Sequence, residues 1–235
     1  TISARRIVKF YSQEEGRIVK LDVLESDQVN KGQLLVQLDD SLLKAQFNKA
    51  NAKKIQAQQN LSRVRQLIRK QLIARDQLTK TVTEYRVASA DAELLKTRLE
   101  NTKNIAPFAG VISQRLVEPG DVVAKHKHML TLIDPNSFVI KIKLSETLIS
   151  ALKVNDKAEV IFDTLGHQKY QGFIKRIHPT VDSKTRQGTL EITLNKLPAG
   201  IKGGQSARVI MEAQSLPRLG VPFNAIRTDH QGEYL

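Results

Sequence analysis

The chain carries an internal repeat with an offset of 94 residues. Gly16, Ile18, Val23, Asp27, Val29, Lys31, Leu38 and Asp40 recur as Gly110, Ile112, Val117, Asp121, Val123, Lys125, Leu132 and Asp134. A repeat at fixed spacing constrains the fold more than local propensity does, because each copy is one structural unit that cannot bury its apolar face alone. Each copy alternates apolar and polar residues around turn signals, the pattern of short strands with one covered face. A copy of 25 residues is too short to enclose a core. The two are therefore expected to pack on each other as one β-domain.

What lies between the copies has a different periodicity. Residues 41–103 contain neither Pro nor Gly over 63 positions, which argues for helix. Leu43, Phe47, Ala50, Lys54, Ala57, Leu61, Val64 and Ile68 step by four and three, with Lys54 alone breaking the apolar seam. Thr81, Tyr85, Ala88, Ala92, Leu95, Leu99 and Thr102 repeat the spacing on the return. Two helices of about 28–30 residues reach roughly 45 Å each. They must run antiparallel, because both ends rejoin the same β-domain. The turn is expected between Lys70 and Leu78.

Residues 1–15 read as one strand entering the β-domain, with Ile7, Val8 and Phe10 as apolar contributors. Residues 136–215 read as short strands with one short helix at Ser145 to Leu152, a pattern that suggests a closed β-barrel. The Gly203-Gly204 pair reads as a turn between barrel strands. No run of about 18 apolar residues is present, so nothing in the sequence reads as a membrane-spanning helix. The sequence has no cysteine, which excludes disulfides and thiol catalysis.

The formal net charge is +13, and 14 Lys plus Arg against 5 Asp plus Glu place +9 on the insert. Such a charge attracts acidic surfaces or nucleic acid. Only Phe47 and Tyr85 are aromatic there, so no stacking platform for single strands is evident, and a nucleic-acid-binding coiled coil is a remote alternative. No Ser-His-Asp, nucleotide-binding or dinucleotide signature appears, so no catalytic residue is expected and the chain is not read as an enzyme. His126 and His128 would share a strand face, but no third metal ligand accompanies them. His167, His178 and His230 are scattered, and Met129 and Met211 read as core filler. No metal or cofactor is expected.

The arrangement resembles the periplasmic adaptor, or membrane fusion, proteins of tripartite efflux and secretion systems, of the HlyD-like and RND-type efflux kind. The first copy reads Val23 through Asp27, Val29 and Gly32 to Leu35, and the second opens with the signature Ala106-Pro107-Phe108-Ala109-Gly110. Gly16, Asp27, Gly32, Gly110, Gly120 and Asp121 are the residues of the family's lipoyl-like motif. Ser26 replaces an expected turn glycine, so its backbone either avoids positive φ or is mildly strained. The barrel region matches the family through Glu146, Gly172, Ile174, Ile177, Pro179, Val181, Asp182, Thr185 and Arg186. Val221 to Ile226 resembles the strand that opens a membrane-proximal domain.

The resemblance implies an elongated, multi-domain α+β fold. Residues 1–40 plus 104–135 would form a split lipoyl-like barrel-sandwich hybrid, and residues 41–103 an inserted antiparallel α-helical hairpin. Residues 136–215 would form a β-barrel, and residues 216–235 the start of a truncated membrane-proximal domain. At the hairpin tip the family carries Arg-x3-Leu-x6-Ser, and Arg63, Leu67 and Ala74 fit that spacing with Ala in the place of Ser. Gln77 occupies the third position of the capping box that the Ser would open. The implied role is a periplasmic efflux adaptor of a Gram-negative cell, tethered to the inner membrane by an N-terminal anchor. Its partners would be an inner-membrane RND or ABC transporter, a TolC-type outer-membrane channel, and further copies of itself in a trimer or hexamer. The alternative is a type I secretion or ABC-type export adaptor. A lipoyl or biotinyl carrier domain is remote, because 63 helical residues occupy the place of the carrier hairpin.

Overall fold

The computed structural model describes residues 1–72, 74–166, 168–198, 200–212, 227–229 and 232–234. Two compact units divide the chain, residues 4–137 and residues 1–3 with 138–235. Residues 1–15 form two strands rather than the one expected. Strand β1 (Ile2–Ala4) joins the sheet of the second unit, and β2 (Ile7–Tyr11) joins the first. Arg5 and Arg6 separate the two strands, and Ile7, expected to be a core contributor, is 48% exposed whereas Phe10 is buried.

The first unit continues with β3 (Gly16–Lys20), β4 (Gln28–Val29), β5 (Leu34–Leu38), helices α1 (Ser41–Arg69) and α2 (Arg75–Glu100), then β6 (Lys103–Ile105), β7 (Gly110–Arg115), β8 (Val122–Val123) and β9 (His128–Ile133). Its two four-stranded sheets run β2-β9-β7-β4 and β6-β5-β3-β8. Adding 94 converts β2 into β6, β3 into β7, β4 into β8 and β5 into β9, so each sheet is the image of the other and takes strands from both copies. The backbone bonds obey the same operation. Ser26 N–H donates to the Ile112 carbonyl (2.8 Å) and Ile112 N–H to the Asp27 carbonyl (3.0 Å). Gly120 N–H donates to the Ile18 carbonyl (2.9 Å) and Ile18 N–H to the Asp121 carbonyl (2.8 Å). One copy cannot satisfy its own backbone, which is why the copies interleave.

The core follows. Ile18 and Ile112, Val23 and Val117, Val29 and Val123, Leu35 and Met129, Val36 and Leu130, and Leu38 and Leu132 are repeat-related pairs of buried residues in one cluster. No residue of α1 or α2 belongs to it. The helices bury Ala50, Leu61, Val64, Thr81 and Ala92. Every residue of both predicted seams is buried or half-buried, Lys54 included. Helix ends at Glu100, and Lys103, taken with the insert on sequence grounds, is already the first residue of β6.

In the second unit, β10 (Phe138–Ser145), helix α3 (Glu146–Ser150), β11 (Lys157–Ile161), β12 (Lys169–Asp182), β13 (Gln187–Leu194) and β14 (Arg208–Met211) follow one another. The sheet order is β1-β10-β13-β12-β11-β14. Ile2 N–H donates to the Gln205 carbonyl and Gly204 N–H to the Ile2 carbonyl, both 2.9 Å, which carries the sheet back onto itself as a barrel. Pro179 lies in β12 where the register slips between Ile177 and Val181, the position at which a strand tolerates a residue with no donor. Strands β15 (Arg227–Asp229) and β16 (Gly232–Tyr234) form an antiparallel ribbon. Val221 to Ile226, His167 and His230 lie outside the described residues.

Candidate functional site: the hairpin and its root

The root of the hairpin is set by hydrogen bonds. The Asp39 carboxylate accepts the Ser41 N–H (3.0 Å), and Lys44 N–H reaches the Asp40 carbonyl (2.8 Å) to start α1. Hydrogen bonding from Ser41, hydroxyl first and amide second, holds the Asp39 carboxyl below the usual carboxylate range. At the far end of the insert, Leu38 N–H donates to the Thr102 carbonyl (2.9 Å), so both ends meet at the edge of β5.

Glu14, in the turn before β3, makes a second fastening. Arg98, in the last turn of α2, donates to both its carboxylate oxygens at 3.1 and 2.9 Å. The Glu14 side chain is only 10% exposed and that of Arg98 is 45% exposed. The hydrogen bond from Arg98 lowers the Glu14 pKa, and the charges of Arg98 and Lys125 add to it, against a smaller opposing effect of burial. The same bond raises the Arg98 pKa. A planar guanidinium facing a carboxylate in a two-bond fork fixes an angle as well as a distance.

At the tip, α1 ends in a Schellman turn. Leu72 N–H reaches the Leu67 carbonyl (3.0 Å) and Gln71 N–H the Ile68 carbonyl (2.8 Å), with Gln71 in the left-handed region at φ 56°. Ala74 is the N-cap of α2, extended at φ −72° and ψ 151°, with no side-chain cap. Helix α2 therefore starts at Arg75. The turn closes within residues 70–74, and Leu78, expected to bound it, lies inside the helix. Gln77 N–H donates to the Ala74 carbonyl at 3.2 Å. Arg63 is exposed, Leu67 half-buried and Ala74 exposed. All three lie within the tip-side turns of the hairpin, and Leu72 adds an apolar side chain there that is 65% exposed.

The lipoyl-like motif residues do matching work in the two copies. The Asp27 carboxylate accepts the Leu24 N–H at 2.7 Å, and Asp121 accepts the Glu118 N–H at 2.8 Å, bonds related by the repeat. Ser26 and its counterpart Gly120 have φ 73° and 95°, and Gly32 and its counterpart His126 have φ 84° and 65°. Ser26 is thus strained, not relieved of the glycine's conformation. Gly16 and Gly110 differ: a Cβ on Gly110 would lie 2.3 Å from the Ile133 carbonyl oxygen, whereas one on Gly16 meets nothing closer than 3.7 Å.

The histidines expected to share a strand face are separated in role. His126 sits in the turn before β9, and His128 is held by the Leu130 carbonyl (3.1 Å) and the Thr131 hydroxyl (3.0 Å). No group of three potential metal ligands occurs among the described residues. Two features escaped sequence reasoning. One is Glu14, whose repeat counterpart is Phe108, so a break in the repeat was the signal. The other is Glu191 on β13, 6% exposed, 3.2 Å from His178 and 3.6 Å from Lys141. Burial works to raise its pKa, but the hydrogen bond with His178 and the cations around it, Lys141 and Arg176 among them, leave it lowered.

An interleaved two-sheet base, a long hairpin inserted in it and a separate six-stranded barrel define an adaptor-type architecture. Residues 6–133, more than half of the chain, match the RND MFP (membrane fusion protein) barrel-sandwich hybrid domain, and residues 140–215 match the CusB-like beta-barrel domain. The chain belongs to the RND membrane fusion protein family. It is 29% identical to the macrolide export protein MacA of Escherichia coli O157:H7, over 76% of this chain and 57% of that one. It is 27% identical to the multidrug resistance protein MdtA of Salmonella typhimurium, over 82% of this chain and 51% of that one. The chain thus spans about half the length of these relatives. A MacA–MexA chimera carrying the Pseudomonas aeruginosa MexA α-hairpin domain superposes with TM-score 0.79 at 22% identity, over 88% of this chain and 75% of that one, and so shares the fold.

Proposed function

We propose that the chain is the periplasmic adaptor of a tripartite efflux system, linking an inner-membrane transporter to a TolC-type outer-membrane channel. The observation that carries this reading is the hairpin: a zipped pair of helices anchored to the β-base at one end and closed by a tight turn at the other. Arg63 and Leu67 stand next to that turn. An exposed guanidinium offers charge-assisted bonds to carbonyls or a carboxylate on a partner hairpin. A half-buried Leu beside it offers an anchor for an apolar groove between partner helices. Ala74 leaves the second helix uncapped by any side chain, so polar groups of a partner can approach its N-terminal backbone amides.

The work of such a chain is assembly. Several copies would form a ring, a trimer or hexamer, around the exit path. Relatives named as export and multidrug resistance proteins support a drug-type transporter, RND or ABC in class. The setting would be the periplasm, as for relatives named periplasmic linkers, and no described helix is long and apolar enough to cross a membrane. The test is export in cells. Arg63→Asp and Leu67→Asp, each expressed at the normal level, are expected to abolish resistance and to lose cross-linking from residues 70–74 to the channel. Unchanged export in both variants sinks the tip assignment.

A further inference from the structure

The positive charge of the insert is not shared between its helices. Helix α1 carries seven Lys or Arg and no Asp or Glu over 29 residues, whereas the five cations of α2 are matched by five acids. Lys70 and Lys103 complete the +9 of residues 41–103. The α1 cations run from root to tip: Lys44, Lys49, Lys53 and Lys54 on the root half, Arg63, Arg65 and Arg69 on the tip half. All but Lys54 are exposed. Among the described residues the ion pairs of the hairpin are Lys96–Glu100 and Arg98–Glu14, both made by α2.

Such a helix is arranged against its own stability. Lys49 and Lys53, and Arg65 and Arg69, stand four residues apart, where like charges repel. Lys44 lies near the N-terminal end, where the helix dipole favours an acid, and the first turn has none. The uncompensated charge therefore attracts an anionic partner. Between the cations Gln46, Gln56, Gln58, Gln59 and Gln66 are exposed. Each amide both donates and accepts, which suits a ligand rich in hydroxyls. A membrane surface would call for an apolar stripe beside the cations, but Leu42 and Ile55, the exposed large apolar residues of α1, stand far apart along it. Nucleic acid would call for stacking aromatics, and Phe47, the aromatic residue of α1, is half-buried in the seam.

From this we infer that the exposed side of α1 binds an acidic polysaccharide laid lengthwise along the hairpin. Its carboxylates pair with the lysines and arginines, and its hydroxyls with the glutamine amides. From Lys44 to Arg69 the cations extend over roughly 38 Å of helix, a track for a chain and not a pocket for one ion. The surface runs along the shaft and goes beyond the adaptor reading, because it holds whether or not the tip meets a channel.

The probe is a fluorescently labelled oligogalacturonate, titrated with the full chain and read by anisotropy. Saturable binding is expected, with Kd rising about tenfold as salt goes from about 0.01 M to about 0.1 M and the screening length falls from about 30 Å to about 10 Å. Lys49→Gln with Lys53→Gln and Arg65→Gln weakens binding by about tenfold or more. Lys80→Gln with Arg86→Gln and Lys96→Gln removes the same charge from α2 and is expected to change Kd by less than about twofold. Gln58→Ala with Gln59→Ala weakens oligogalacturonate binding but leaves binding of poly-L-glutamate, which has no hydroxyls, unchanged. Helical circular dichroism confirms that each variant is folded. Absence of binding at low salt, equal losses in the α1 and α2 triple variants, or tighter binding to phosphatidylglycerol vesicles than to the sugar overturns the proposal. So does a glutamine pair whose removal weakens both polymers alike or neither, since charge alone then accounts for the binding.

Discussion

Gly110 and Gly16 occupy the same place in the two copies, yet only one of them demands glycine. The Gly110 backbone packs against the Ile133 carbonyl so closely that a methyl group has no room. Gly110→Ala is expected to destabilise the first unit by about 2–3 kcal/mol, the cost of overpacking, and Gly16→Ala by less than about 1 kcal/mol. Chemical denaturation of both variants checks this, and equal costs would contradict it. Ser26 offers the converse. It holds φ 73° with a side chain attached. A left-handed residue costs about 1–2 kcal/mol, and glycine loses about 0.5–1 kcal/mol through its greater unfolded freedom. Ser26→Gly therefore gains about 0.5–1 kcal/mol net, read as a rise in denaturation midpoint with unchanged slope.

Helix α2 begins without a side-chain cap, because Ala74 adopts the cap conformation with no polar side-chain group. Ala74→Ser supplies the missing acceptor and is expected to stabilise the first turn by about 0.5–2 kcal/mol. Slower hydrogen exchange at the amides of the first turn, Asp76 above all since Gln77 already donates to the Ala74 carbonyl, is the measurement, and unchanged exchange would contradict the prediction. At the other end, the Glu14–Arg98 fork ties α2 to the β-base. Breaking a buried pair costs about 3–5 kcal/mol, but Arg98 is 45% exposed, so about 1–2 kcal/mol is expected for Glu14→Gln at neutral pH. The Glu14 pKa is lowered from 4.5, so its stabilisation is complete above that value and fades as pH falls through the folded-state value. Stability curves of the wild type and Glu14→Gln should converge in acid. A gap that persists there would assign the loss to packing.

At the level of the molecule, the first unit separates into a core and an appendage. All the residues of its buried cluster come from the two repeat copies or, as Phe10 and Ala106, from the segments just before them, and none from the helices. Replacing residues 42–100 by a short flexible turn is therefore expected to leave a folded β-domain, with dispersed amide resonances and cooperative melting. Removing residues 104–135 instead is expected to leave the first copy unfolded, because each sheet needs strands from both. A folded isolated first copy would show that the interleaving is not required.

The repeat itself, the helical insert and its seam were legible because each rests on residue spacing, and spacing is carried by the sequence alone. Leu61, Val64 and Ala92 are buried where the heptads put them. The barrel was legible from strand length and turn residues. Three things were not. The division of residues 1–15 between two sheets depends on which edge each strand finds. The end of the tip turn depends on Gln71 entering the left-handed region, which no glycine announces. The pairing of Glu14 with Arg98, 84 residues apart, exists only because the second helix returns its last turn to the base. Periodicity fixes which face of an element seeks cover. Chain closure in three dimensions decides which distant group meets it, because a contact across the sequence has no local signature.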